Sequence, residues 1–410
     1  MLFYLVGIKG AALSALAKIL NNLGHLVSGV DVKDDFYTSN DLTRIKLEDF
    51  ANMNLKPSYY YVIGNAYVSH SVTKYIINMN YKYDYYPTFL TKFFKNKKWL
   101  CVAGTHGKTT TTKLLSTFIP NSTSLIGDST MTTGSNDYFI LESCEYRNTF
   151  LNYHPTISLI LNVDYDHVDF FKTKDEYDNS FKKFVKQSKL SVVNGDEFNY
   201  RSPNIITYGC KPNNDVVFEY KDKTVKILNK TFFLPMAGIK YAYDFVGAYL
   251  VAKLCNISDQ EIQNKLTSFK MPKRRYQKLK INEQLLILDY AHHPNEINAT
   301  LEAAREEYPN KKIICVFEPH TISRLQVFKT DFKKVLSSFD KAYLDNLFSS
   351  VRETHNVLVE KDLYDFLDFP ILDYHNRVQL TKEKNCVICF LGAGDVDKTY
   401  ETYADLLKNN

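Results

Sequence analysis

Apolar and polar positions along this chain repeat one pattern: a short apolar run, a glycine-bearing turn, then apolar residues at helical spacing. The first run is Phe3–Val6, followed by Gly7-Ile8-Lys9-Gly10-Ala11-Ala12. Leu13, Leu16, Ala17, Leu20 and Leu23 then lie on one helical face, which predicts a helix ending at Gly24. A second run, Leu26–Val30, closes on Asp31. Strand, glycine turn, helix, strand and aspartate together have the layout of a Rossmann half, and an ordinary βαβ unit has it too. Similar units begin near Trp99 and near Lys273, so the chain reads as three parts: 1–97, 98–272 and 273–410.

The second part carries the sharpest signal. The apolar strand Trp99–Ala103 runs into Gly104-Thr105-His106-Gly107-Lys108-Thr109-Thr110-Thr111-Thr112. Glycines let backbone N–H groups approach phosphate oxygens, and the following helix points its positive end at them. In such a loop the lysine reaches the β/γ-phosphates and the next hydroxyl ligates Mg²⁺, which places Lys108 and Thr109. Only Thr105 and His106 separate the two glycines, so this loop is two residues tighter than the common G-x-x-x-x-G-K-[ST] form. Strand Tyr138–Leu141 ends in Glu142, and strand Ile157–Leu161 ends in Asn162-Val163-Asp164-Tyr165-Asp166-His167. Ligands of parallel α/β sheets sit at the carboxyl ends of strands, so Glu142, Asn162, Asp166 and His167 are expected near the loop. Glu142 and His167 make a plausible Mg²⁺ pair there.

In the third part, strand Leu285–Leu288 ends in Asp289-Tyr290-Ala291-His292-His293-Pro294. Cys386 and Cys389 have redox or metal spacing, but they lie within an apolar run and read as buried strand residues. The seven cysteines are scattered and odd in number, which argues against a disulfide framework and for a reducing cytosol. The 410 residues are 45% hydrophobic, enough for several cores. A net charge of +5 without a basic block argues for neither nucleic acid nor a membrane, and suits an anionic substrate. Met1–Val6 is too short for a membrane span and reads as a first strand, so the cytoplasm is the expected compartment.

These motifs carry a family resemblance. Gly104–Thr112, ESCEYRNTFL at Glu142–Leu151, NVDYDHVDFF at Asn162–Phe171, KRRYQ at Lys273–Gln277, DYAHHPNEI at Asp289–Ile297, FEPH at Phe317–His320 and LGAGD at Leu391–Asp395 resemble those of the Mur ligases, in order across nearly the whole chain. The Asp289–Pro294 block is similar to the alanine-adding branch of that family. The resemblance implies an α/β fold of three domains: an N-terminal Rossmann-like domain for the UDP substrate, a central P-loop-type ATPase with a mainly parallel sheet, and a C-terminal Rossmann-like domain that helps bind the amino acid. It implies ATP-dependent ligation of L-alanine to UDP-N-acetylmuramate through an acyl phosphate, an early cytoplasmic step of peptidoglycan synthesis, by a monomer or homodimer.

By the same resemblance, Gly104, Thr105, His106, Gly107, Lys108, Thr109, Thr110, Arg275 and Asp289 hold ATP. Thr109 and Glu142 hold one Mg²⁺ and His167 a second. Gly7, Lys9, Gly10, Asp31, Asn65 and Asn162 bind the UDP substrate. His292, His293 and Arg324 form the amino-acid pocket, with Lys108, His167, Arg275 and His292 in catalytic roles; which histidine serves as base stays open. The family's G-x-H-N-x-x-N block reads Gly238-Ile239-Lys240-Tyr241-Ala242-Tyr243-Asp244 here, and Tyr241 is offered as a stacking substitute at adenine. Lys182, Lys183 and Lys186 fall where other branches carry a carbamylated lysine. Three further readings compete: a muropeptide-recycling ligase with a peptide acceptor, a non-catalytic nucleotide-binding homologue, and an ordinary P-loop motor. Intact Lys108, Glu142 and His167 speak against the second of these, and the tight loop against the third.

Overall fold

The computed structural model describes residues 1–32, 38–348 and 357–409. Packing divides the chain into two compact units. One comprises Met1–Asp164, Asp178–Val216 and Phe245–Leu266; the other comprises Tyr165–Tyr177, Val217–Asp244 and Thr267–Asn410.

The first unit opens with β1 (Leu2–Val6), α1 (Ala11–Asn22), β2 (Leu26–Asp31), β3 (Lys46–Asp49), β4 (Tyr60–Ile63), α2 (Ser71–Asn78), β5 (Tyr83–Tyr85) and α3 (Tyr86–Phe93). The strands form a parallel sheet of order β3-β2-β1-β4-β5. The order reverses between β1 and β4, and the crevice at the carboxyl ends of two such strands is where doubly wound folds bind ligands. Gly7 turns the chain there with a φ of 88°, a conformation that costs glycine little.

A second sheet of this unit runs β12-β11-β10-β6-β9-β7-β8. Its members are β6 (Lys98–Ala103), β7 (Thr123–Leu125), β8 (Met131–Thr132), β9 (Tyr138–Glu142), β10 (Ile157–Ile160), β11 (Leu190–Asn194) and β12 (Ile205–Gly209). All neighbours are parallel except β7 and β8. Helix α4 (Lys108–Phe118) follows β6 directly, so the Gly104–Gly107 turn lies between the ends of β9 and β10. Residues 100–103 and 139–141 are almost fully buried, as expected where helices cover both faces. Three helices run through segments of both units: α5 (Lys174–Gln187), α6 (Ile239–Leu254) and α7 (Asp259–Thr267). Lys183 and Lys186 are exposed on α5 and Lys182 is half-buried.

The second unit contains an antiparallel meander, β13 (Val216–Lys221), β14 (Thr224–Ile227) and β15 (Lys230–Phe233). Its main sheet has the order β16-β17-β20-β18-β19 and is parallel apart from β16. These strands are β16 (Gln277–Ile281), β17 (Gln284–Asp289), β18 (Lys312–Phe317), β19 (Lys341–Leu344) and β20 (Cys386–Leu391). The accompanying helices are α8 (Pro294–Glu307), α9 (Ile322–Val327), α10 (Lys329–Leu336), α11 (Val357–Leu367), α12 (Tyr374–Leu380) and α13 (Val396–Lys408). Alternation along β20 sends Cys389 to one core, with Ile287 and Phe317, and Cys386 to the other, with Leu286 and Tyr403. The two thiols therefore face opposite sides of the sheet and cannot share a metal. Among the described residues no helix is long and apolar enough to cross a membrane.

Candidate active site

The phosphate-type loop is built from both flanking strands. Gly107 takes the left-handed conformation, φ 82°, as the N-cap of α4. The loop backbone is braced by the segment after β10. His106 N–H donates to Asn162 Oδ1 at 2.8 Å, and Asn162 Nδ2 donates to His106 O at 3.1 Å. The Thr105 hydroxyl donates to the Asp164 carbonyl at 2.7 Å and accepts from Asp164 N–H at 2.9 Å. His106 Nε2 lies 3.1 Å from Asp164 Oδ2. Asn162, expected among the UDP-substrate residues, braces this loop: its amide donates to and accepts from one backbone residue of the turn.

On the other flank, the Thr109 hydroxyl donates to Glu142 Oε1 at 3.2 Å, and Glu142 Oε2 accepts from Gly127 N–H at 2.7 Å. A hydroxyl and a carboxylate oxygen at a helix start are hard donors of the kind Mg²⁺ takes. Lys108 is folded onto its own loop: Nζ donates to the carbonyls of Gly104 and Thr105, the latter at 2.9 Å, and pairs with Glu145 Oε2 at 3.1 Å. Burial by itself lowers the lysine pKa, but Glu145 and Glu142 outweigh it and raise the value, so the ammonium stays charged. The first N–H groups of α4, those of Lys108, Thr109 and Thr110, have no intrahelical carbonyl to meet, which is the general property that makes helix starts anion sites. Arg147 and Asn148, just past Glu145, hold φ values of 53° and 56°. Non-glycine residues in this region store strain, which clusters at functional sites.

At the first crevice Asp31 is committed to the glycine turn. Its carboxylate accepts from Lys9 N–H at 2.7 Å, from Val32 N–H at 2.9 Å and from the Tyr67 hydroxyl. Tyr67 lies across Gly7, where a Cβ would fall 2.5 Å from its ring. Lys9 Nζ donates to the Val32 carbonyl at 2.8 Å, Gly10 caps α1, and the exposed Asn65 donates to the Thr149 hydroxyl at 3.3 Å. Tyr67, unmarked in the sequence reading, is the residue that covers this turn.

In the second unit, Asp289 ends β17 and accepts from Tyr276 N–H at 3.0 Å and Ala291 N–H at 3.1 Å. Burial pushes its carboxyl up to about 6, against the pull of Arg275. Arg274 and Arg275 lie 5.1 and 4.8 Å from the Tyr290 ring centroid, and Arg274 also donates to the Gly394 carbonyl at 2.7 Å. The two adjacent histidines part company. His293 is buried as the N-cap of α8, its Nδ1 accepting from Asn295 N–H at 3.3 Å. His293 thereby caps the helix through Nδ1. His292 Nδ1 lies 2.9 Å from the Tyr290 carbonyl and 3.3 Å from Glu296 Oε2. Both partners are acceptors, so Nδ1 carries the hydrogen and Nε2 is left as a lone pair. Burial lowers its pKa to about 4, against Glu296, which keeps the ring neutral at neutral pH.

Arg324, on α9, is buried and paired with Asp166: Nε and Nη2 each lie 3.1 Å from a different carboxylate oxygen. Burial pushes Asp166 up, but the charges of Arg324 and His167 outweigh it and hold the carboxyl far below the usual range. Arg324 Nη1 is 3.4 Å from His320 Nδ1, and the His320 ring stacks on Phe348. Asp166, His167, Asp169, His320, Thr321, Ser323 and Arg324 line one cavity of this unit. His167 therefore belongs to the second unit, whereas Thr109 and Glu142 belong to the first. Tyr241 is 4% exposed and its hydroxyl meets no partner among the described residues, so it is a core residue rather than an open stacking platform. Glu145 and His320 are site residues to which the sequence gave no role, and the ESCEYRNTFL and FEPH motifs that contain them were the available signals; Asp166 was expected as a strand-end residue, but not as the partner of Arg324.

Doubly wound and Rossmann-like sheets, with a glycine turn between a strand-end carboxylate and a strand-end asparagine, are the frame of a nucleotide-binding α/β protein, and the chain belongs to the Mur ligase family. Residues 102–252 match the Mur ligase middle domain and residues 274–356 the Mur ligase glutamate ligase domain. A UDP-N-acetylmuramate–L-alanine ligase of Limosilactobacillus reuteri is 35% identical, with 99% of each chain aligned. Among solved structures, a UDP-N-acetylmuramate–alanine ligase from Thermotoga maritima superposes with a TM-score of 0.81 at 20% identity, covering 100% of this chain and 99% of that one. A murein peptide ligase from Psychrobacter arcticus gives 0.70 at 18% identity, covering 100% and 99%.

Proposed function

We propose that this protein joins L-alanine to the carboxylate of UDP-N-acetylmuramate at the expense of ATP, in the cytoplasm, as an early step of peptidoglycan synthesis. The observation that carries this reading is the full-length similarity to a ligase of that specificity at 35% identity, together with a loop whose residues suit a polyphosphate. The substrate carboxylate attacks the γ-phosphate, giving an acyl phosphate and ADP. The alanine amine then attacks the acyl carbon, and phosphate leaves.

An anion attacking an anion needs concentrated positive charge, and catalysis of this kind is mainly positioning and electrostatics. Lys108 supplies a charge that burial has not neutralised, and the N–H groups of Lys108, Thr109 and Thr110 supply fixed dipoles. Thr109 and Glu142 would hold Mg²⁺, with His167 offered for a second ion, and the bound metal would supply charge withdrawal from the transferring phosphoryl group. Arg275 and Asp289 are assigned to ATP. Gly7, Lys9, Gly10, Asp31 and Asn65 are assigned to the UDP substrate, Asp31 acting through the turn it braces. Arg324 receives the alanine carboxylate. His292, neutral and with its Nε2 lone pair available, is the residue suited to accept the amine proton.

The test is amino-acid-dependent phosphate release from ATP with UDP-N-acetylmuramate present. L-alanine should support turnover, and L-Ala-γ-D-Glu-diamino acid peptide should do so far less well in direct competition. Preferential ligation of the peptide, seen by mass spectrometry, would transfer the assignment to a peptide-recycling ligase.

A further inference from the structure

We propose that Asp166 is a positioning residue: it grips Arg324 along one edge and so aims the other edge of the guanidinium at the carboxylate of the incoming amino acid. The inference rests on the reading of Arg324 given above. A guanidinium carries five N–H donors in a rigid plane. Asp166 takes the side-on edge, Nε with Nη2, at 3.1 Å for each contact. The end-on edge, Nη1–H with the second Nη2–H, is a further fork of the right width for a carboxylate.

The surroundings hold that fork in place. The Arg324 side chain is only 9% exposed and Asp166 only 7%, so the pair is neither rotating in solvent nor screened by it. His320 Nδ1 lies 3.4 Å from Nη1, and its ring is fixed by Phe348, with centroids 5.3 Å and planes 7° apart. The cavity beside the pair is lined by His167, Asp169, Thr321 and Ser323, which suits a small zwitterion. Backbone strain flanks both partners: His167 follows Asp166 with φ 53°, and Thr321, a β-branched residue, opens α9 with φ 66°. A lone buried guanidinium would be costly, and Asp166 balances its charge without occupying the end-on edge.

The experiment uses the full chain and initial rates of phosphate release, with Asp166→Asn and Asp166→Glu. L-Alaninamide, an acceptor without the carboxylate, is the control. Asp166→Asn should raise the KM for L-alanine by about ten-fold or more, the equivalent of one charge-assisted contact, while leaving the KM for ATP and the parameters for L-alaninamide unchanged. Asp166→Glu keeps the charge but displaces the fork and should move the L-alanine KM in the same direction; it decides the matter if the asparagine variant does not fold. A folded variant with an unchanged L-alanine KM overturns the inference. A lowered KM also overturns it, since Asp166 would then be occupying the place of the substrate carboxylate. Wild-type protein without L-alanine-dependent turnover overturns the functional reading and this inference with it, whereas normal wild-type turnover with an indifferent Asp166→Asn removes the inference alone.

Discussion

Lys108 is paired at 3.1 Å with Glu145, a carboxylate whose side chain has no exposure to solvent. The lysine of the phosphate-type loop is thus stored as a charged group against its own turn. Replacing Lys108 by alanine should reduce ATP-dependent product formation by on the order of 10²- to 10³-fold, the usual cost of a preorganised electrostatic group. Glu145→Gln should act on stability, lowering it by roughly 3 kcal/mol because a buried ion pair is broken from one side. Urea unfolding and steady-state rates measured on both variants separate the two effects. A Lys108→Ala protein with near wild-type turnover would remove the loop from the site.

Glu142 offers one oxygen to Thr109 and the other to Gly127 N–H. Glu142→Gln keeps an acceptor for the backbone and loses the charge. The Mg²⁺ concentration required for half-maximal rate should rise, with the melting temperature unchanged. An unaltered Mg²⁺ titration would take Glu142 out of the metal assignment.

Tyr241 buries a hydroxyl that finds no partner among the described residues. An unsatisfied buried hydroxyl carries a desolvation cost that its removal relieves. Tyr241→Phe should therefore leave the melting temperature equal or higher, and the KM for ATP unchanged. A large fall in stability would mean that the hydroxyl is bonded after all.

Glu318, in the FEPH motif, accepts from Gly394 N–H at 2.8 Å, and burial raises its pKa to about 8, against that hydrogen bond. The folded state then holds a proton that the unfolded state gives up near pH 4.5. Between those values the native protein binds more protons than the unfolded chain, so this group makes stability fall as pH rises from about 4.5 to about 8. Glu318→Gln should flatten that slope. The difference in melting temperature between variant and wild type should grow in the variant's favour from pH 5 to pH 9 in a thermal scan. A difference that stays constant with pH would mean that Glu318 is ionised in the native state throughout.

Local chemistry made much of this protein legible from its residues. Apolar runs placed β1, β6, β17 and β20 to within a residue or two, because burial on both faces leaves no room for polar positions. The same logic put Lys108, Thr109 and Glu142 at strand and helix ends, and Cys386 and Cys389 inside a strand. What stayed hidden depends on partners far away in sequence. Asp166 and Arg324 are separated by 158 positions, and Asn162 and His106 by 56. His292 and His293 are identical in composition and adjacent, yet only the course of the chain at Pro294 makes one a buried cap and leaves the other a lone pair. Sequence alone determined several of the central strands, the strand–turn–helix that carries Lys108 and which family the motifs resemble, since these rest on short-range periodicity and spacing. Tertiary structure alone decided the partner and protonation of each charged side chain, because hydrogen bonds and desolvation are set by whatever the fold packs within a few ångströms.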